Sequence, residues 1–231
     1  MTTEFRPAEK HGPIEEIFPN VFFVTGRHRL GGPMAFTKNM FVVRQGKELT
    51  VISTLRLSSE GEAELEKLGT VKHVVRIGGY HGADDPYWIH RFSPTFWSPP
   101  KLKQVAKNDQ TLAPGSSPID DADIFLFENG KRPEAAIILR REGGILMTAD
   151  AYQNWASTEG CSLPLRVMMP FMGFGPAVIG GPWLKAQGMG VRADFEKLAE
   201  REFAHLFPGH GQILKNDAKA GLAKAMKKRF A

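Results

Sequence analysis

The apolar pattern opens with three short runs. "NVFFVTG" (Asn20–Gly26), "NMFVVRQG" (Asn39–Gly46) and "LTVIST" (Leu49–Thr54) are rich in β-branched and aromatic residues, and glycines bound the first two, which predicts strands. Gly46, Lys47 and Glu48 predict a hairpin turn between the second and third. The period then changes. "SSEGEAELEKLG" (Ser58–Gly69) predicts a helix, with Ser58 or Ser59 as its cap, acidic residues in its first turns and Gly69 closing it. "VKHVVRI" (Val71–Ile77) returns to a strand and runs into a glycine-rich loop, "GGYHGADD" (Gly78–Asp85). Pro86, just beyond, suits the first turn of another helix.

The second half repeats this order. "DIFLF" (Asp123–Phe127), "EAAIILR" (Glu134–Arg140) and "GILMTAD" (Gly144–Asp150) predict strands, and "RADFEKLAERE" (Arg192–Glu202) has helical spacing at Phe195, Leu198 and Ala199. "AHLFPGHG" (Ala204–Gly211) predicts a short strand ending in a tight loop. "NDAKAGLAKAMKKRF" (Asn216–Phe230) predicts a final helix capped by Asn216. Residues 93–118, rich in Pro, Ser and Lys, predict a long connection. Strands followed by helices, twice over, predict an α+β fold of two sheets packed face to face with helices outside. Residues 1–231 show no internal repeat and no break in composition, so one domain is expected.

Composition narrows the function classes. The chain has 231 residues, 42% of them hydrophobic, which is enough for a sizeable core. Its formal charge is +5, but much of the excess sits in the last segment at Lys215, Lys219, Lys224, Lys227, Lys228 and Arg229, a pattern expected of a solvated helix face. No aromatic–basic interleaving argues for single-stranded nucleic acid. One cysteine, Cys161, excludes an internal disulfide framework and a thiolate zinc site, and points to a reduced, cytoplasmic setting. No stretch approaches a membrane span, and residues 1–12 lack the apolar core of a signal peptide. The apolar segment Val167–Trp183 is cut by Pro170, Pro176 and Pro182, so no regular helix is expected to run through it. It reads either as a Met-rich lid over an apolar ligand or as a buried or homodimer contact.

Three polar loops each follow an apolar strand: "GGYHGADD", "TAD" and "PGHG". Strand ends fix position while loops supply chemistry. His81, Asp84, Asp150 and His210 are the candidate metal ligands, since imidazole and carboxylate suit a borderline or hard divalent ion such as zinc, iron or manganese. Asp84 and Asp85 are the candidate catalytic carboxylates, with Asp85 or His90 as outer-shell supports. The alternative is that His81 and Asp84 only cap the helix starting near Pro86, within an ion-free polar cluster. Glycines on both sides of His210 let its ring project from a tight turn.

From about Asn20 to Phe230 the chain resembles the metallo-β-lactamase superfamily. "VVRIGGYHGADD" occupies the place of that family's HxHxDH loop, "GILMTAD" that of the strand leading to its bridging Asp, and "LFPGHG" that of its late His loop. The resemblance implies a four-layer αββα sandwich, gives Asp150 the bridging role and His210 the late one, and matches His81 to the second His. It departs from the pattern at Gly79, where the first His stands, and at Ala83 and Asp84, which fall on the Asp and third His; shifted by one residue, Asp84 falls on the Asp and no His follows. No His lies between His90 and His205, and Ser53 and Thr54 replace an early Asp. The resemblance runs closest to divergent branches with HG-x-DD and a late PGHG. A full dinuclear site is therefore not expected. A single divalent ion with three protein ligands would still suffice for a hydrolase acting on a small ester, lactone or phosphoester. The alternative is a non-catalytic member that binds a small apolar ligand or a protein partner. Donor atoms of His81, Asp84, Asp150 and His210 lying about 3–4 Å apart would fit ligation.

Overall fold

Alternation along the strands decides the layering. The computed structural model describes residues 5–102, 105 and 109–231. Among these, β1 (Glu15–Phe18), β2 (Val21–Gly31), β3 (Met34–Gln45), β4 (Glu48–Ile52), β5 (Thr70–Val75), β6 (Thr95–Ser98) and β7 (Gln110–Thr111) form one sheet in chain order. Pairing is antiparallel from β1 to β4 and parallel from β4 to β7. The second sheet has the order β13 (His205–Pro208), β10 (Ile145–Thr148), β9 (Ala135–Leu139), β8 (Ala122–Leu126). A short ribbon joins β11 (Tyr152–Gln153) to β12 (Val178–Ile179).

Successive residues of a strand point to opposite faces. Phe23, Phe41, Val43, Ile52 and Val75 therefore enter the space between the sheets, where they meet Ile137, Ile145, Met147 and Phe207. Their neighbours Phe22, Met40, Val42, Val51 and Val74 pack outwards on Leu65 of α1 (Ser59–Leu68) and Trp88 of α2 (Asp85–Phe92). On the far side, Ala136, Ile138, Leu146 and Leu206 pack on Trp183 of α4 (Gly181–Gln187), Phe195 of α5 (Arg192–Ala199) and Leu222 of α6 (Ala218–Phe230). The order is helix, sheet, sheet, helix: the αββα sandwich that the resemblance implied.

Several boundaries differ from the expectation. The connection over 93–118 contains β6, because "TFWS" pairs in parallel with His73–Val75 of β5 and buries Phe96; its residues 103, 104 and 106–108 lie outside the described residues. So do residues 1–4 of the polar start. Ser58 caps α1 as predicted, accepting from the Gly61 N–H at 3.2 Å. Asn216 does not cap α6. It sits in the left-handed region (φ 67°), its N–H donates to His205 Nδ1 at 3.1 Å, and Asp217 occupies the cap position. Val167–Trp183 is crossed by turns, but α3 (Leu163–Met168) and α4 reach into its two ends. No helix among the described residues is long and apolar enough to cross a membrane.

Phe207 touches Phe18, Phe23 and Phe41 across the sheet–sheet interface, with ring centroids 5.7–6.1 Å apart. Phe207→Ala is expected to lower unfolding free energy by about 3–5 kcal/mol in a denaturant titration, the range for buried aromatic truncations. Phe171→Ser, at a side chain 90% exposed, should leave it within about 0.5 kcal/mol.

Candidate metal centre

Parallel pairing of β10 and β13 sets Thr148 opposite Pro208. Each strand therefore releases its ligand loop at the same level, Asp150 from one and His210 from the other. His81 arrives from the first sheet, in the loop after β5. Its Nε2 lies 3.1 Å from His210 Nε2 and 3.4 Å from Asp150 Oδ2, while His210 Nε2 is 3.1 Å from Asp150 Oδ1. All three side chains offer a donor atom within one small sphere. Gly209 allows this approach, since a Cβ there would stand 2.7 Å from His81 Cε1 and 2.6 Å from the Ala149 carbonyl oxygen. Gly211 holds φ at +84° with the Asn154 carbonyl pressed against it, so only glycine fits that turn.

The environment selects protonation states. His210 Nδ1 lies 2.8 Å from the Thr37 carbonyl oxygen. A carbonyl only accepts, so Nδ1 carries a proton and the Nε2 edge of the ring faces the cluster. Burial pushes the His81 imidazolium down to about 4, against the pull of Asp150, so this ring is neutral at pH 7. Burial alone would raise Asp150, but the two imidazoles beside it, His81 foremost, hold it below the ordinary carboxylate range. Asp150 Oδ2 and His81 Nδ1 are buried without hydrogen-bond partners. Two imidazole nitrogens and a carboxylate facing one point form a donor set that a divalent cation satisfies.

Residues that the sequence pattern did not single out hold this arrangement. Glu134, buried immediately before β9, accepts from the Asp150 and Ala151 N–H groups through Oε1 (3.0 and 2.9 Å) and from the Trp183 indole through Oε2 (2.6 Å). Burial, with the Asp150 charge adding to it, pushes its carboxyl up to about 8. Three consecutive residues of β3 serve the site. Thr37 orients His210 through its carbonyl. Asn39 donates to the Pro208 and Gly211 carbonyls at 2.8 Å each. Lys38 donates to the Thr54 carbonyl at 2.7 Å and the His81 carbonyl at 3.1 Å. The one signal in the sequence is the polar run Thr37-Lys38-Asn39 inside a strand that buries its neighbours.

Asp84 and Asp85 are not brought to the cluster. Asp84 occupies the cap position of α2 without a side-chain capping bond and faces a neighbouring cavity with Arg6, His28 and Arg56. Asp85 Oδ2 pairs with Arg76 Nε at 2.5 Å and its Oδ1 accepts from Thr54 Oγ1 at 2.6 Å. The loop closes on Pro86 at the start of α2, and this turn carries both carboxylates away from His81. His90 lies in α2 with its ring against Phe5.

The cluster forms part of the floor of a cavity of about 470 Å³, in the size range of small-molecule sites. Phe36, Trp155, Leu165, Met169, Met172 and Phe174 make much of its wall. Trp155 lies parallel to the His210 ring at 6.0 Å, and Phe36 meets it edge-on at 4.8 Å. The segment 167–183 is thus both wall and surface: Met169 is buried, while Val167 and Phe171 are exposed. Cys161 is buried in the same apolar group.

Two measurements follow. Asp85→Ala leaves Arg76 without its buried partner and is expected to cost about 3–5 kcal/mol in denaturant unfolding; a loss below about 1 kcal/mol contradicts the structural role. His28 and His81 both fall from 6.5 to about 4 through burial. The unfolded chain then binds more protons between these values, so stability is lost as pH falls from 6.5 towards 4. Thermal melts across that window should show the decline, and His28→Gln should make it shallower.

No family model matches the chain, and no curated protein matches it. Solved structures do. The DIM-1 metallo-β-lactamase aligns with TM-score 0.68 at 14% identity, over 96% of this chain and 98% of that one. The metallo-β-lactamase FIM-1 from Pseudomonas aeruginosa, in its mono-zinc form, gives 0.66 at 14% identity over 96% and 97%. The metallo-β-lactamase from Pontibacter korlensis gives 0.65 at 10% identity over 94% and 99%. With nearly end-to-end coverage in each case, the fold of this chain is that of the metallo-β-lactamases.

Proposed function

We propose that the chain is a divergent metallo-β-lactamase superfamily hydrolase using one divalent ion, held by His81, Asp150 and His210, on a small and largely apolar ester, lactone or phosphoester. The observation that carries this reading is the spacing of the three donors. The two imidazole nitrogens stand 3.1 Å apart, close to the edge of about 3.3 Å that a tetrahedron has when its metal–ligand bonds are about 2.0 Å, and Asp150 reaches each with a different oxygen, Oδ1 at 3.1 Å from His210 and Oδ2 at 3.4 Å from His81. Three protein ligands leave the open position that a catalytic site keeps. When bound, such an ion supplies Lewis acidity and lowers the pKa of water at that position.

The remaining roles belong to the chain. Thr37 fixes the His210 tautomer. Glu134 pins the Asp150 loop and the Trp183 wall with one carboxylate. The apolar cavity takes the body of the substrate and strips water from around the scissile bond, which strengthens the electrostatics there.

Elemental analysis after reconstitution should give about one zinc, iron or manganese per chain. His81→Ala, Asp150→Ala and His210→Ala should each weaken uptake by more than about 100-fold, and Glu134→Gln by about 10–100-fold as an outer-shell change. Asp84→Asn should leave uptake unchanged. A metal ratio near zero that does not rise on reconstitution overturns the metallohydrolase reading and leaves a ligand-binding member of the fold.

A further inference from the structure

Lys38 is a buried lysine whose ammonium makes no ion-pair contact among the described residues. Its side chain is 2% exposed and its ammonium reaches only two neutral acceptors, the Thr54 and His81 carbonyls. Of the nearby carboxylates, Asp85 is held by Arg76 and Thr54 and Asp150 lies between the two imidazoles, while Asp84, which lines the adjoining cavity, acts on Lys38 through its charge without an ion-pair contact. Among the described residues none lies within ion-pair distance of Lys38 Nζ. A buried charge left unpaired is unfavourable, and a partner that completes it is strongly held. An ammonium has three N–H donors, and two are used. Lys38 also lines the cavity, where it is the only Lys or Arg among the lining residues.

We infer that this cavity binds an apolar monocarboxylate, with one carboxylate oxygen on Lys38 Nζ and the tail among Phe36, Trp155, Leu165, Met169 and Phe174. A single cation suits one negative charge; a dianionic phosphoryl group would call for more donors than the wall provides. The inference deepens the hydrolase reading and rests on it only for the claim that this acid is the acyl part of the substrate. Binding itself needs Lys38 and the cavity alone.

Octanoate, octanamide, octanol and octyl phosphate are the probes. Each is titrated against the protein as purified and after chelator treatment, followed by calorimetry and by tryptophan fluorescence from the cavity wall. Octanoate should bind at least about tenfold tighter than octanamide, the increment of a charge-assisted hydrogen bond. In Lys38→Met that ratio should fall to about one with octanol affinity unchanged, and Lys38→Arg should keep part of the preference. If Lys38→Met fails to fold, Lys38→Gln reads the same ratio. Equal binding of acid and amide, a preference that survives loss of the ammonium, tighter binding of octyl phosphate, or no binding of any probe overturns the inference. The metal reading stands or falls separately: acid selectivity in metal-free protein does not depend on metal uptake, and uptake does not depend on selectivity.

Discussion

A carboxylate buried in an apolar interior has to be answered by donors or by a cation. Asp150 is that carboxylate, and much of the surrounding structure is its answer. Two imidazoles flank its side chain, and Glu134 takes up its backbone N–H and the next one. Thr37 accepts from His210 Nδ1 and so sets the Nε2 edge of the ring toward the group. Asn39 ties down the loop that carries His210. Two of the three clustered side chains follow from strand pairing alone, because parallel neighbours end at one level. The third, His81, needs the two sheets to be packed, since it comes from the other one. The cluster is therefore a reporter of the sandwich as a whole and not of any local motif.

That dependence explains what could be read from the sequence. Strand periodicity located β2 to β5 and β8 to β10 because one face of each strand enters a core and the other meets helices or solvent. The loops of His81, Asp150 and His210 stood out because each follows such a strand. The directions of Asp84 and Asp85 did not stand out. They share a loop with His81, and only the turn into α2 at Pro86 decides that Asp85 meets Arg76 and Asp84 another cavity. β6 was hidden because its four residues lie between proline- and serine-rich flanks, and its pairing with β5 is a non-local contact.

Lys38 and Glu134 were hidden for a different reason. A charged residue in a strand ordinarily marks the solvent face, and these two are buried. Each is stabilised by partners distant in sequence: Glu134 by the Asp150 loop and Trp183, Lys38 by the carbonyls of Thr54 and His81. Nothing within a window of neighbouring residues distinguishes a lysine held this way from one in water.

The two sides of the site differ in how they obtain positive charge. On the Asp150 side, imidazoles and a carboxylate leave a position suited to an ion. On the other side, the positions that the resemblance assigns to further ligands hold Gly79, Ala83, Asp84 and Thr54. There Thr54 hydrogen-bonds Asp85, Asp85 pairs with Arg76, and Lys38 donates to the Thr54 carbonyl. Positive charge on that side is covalently part of the chain. A lysine cannot polarise water as a divalent ion does, but it can hold an oxygen in a fixed place without being lost to competing chelators. Under the proposed function the arrangement divides the tasks of activating water and of anchoring a substrate between an ion acquired from solution and Lys38.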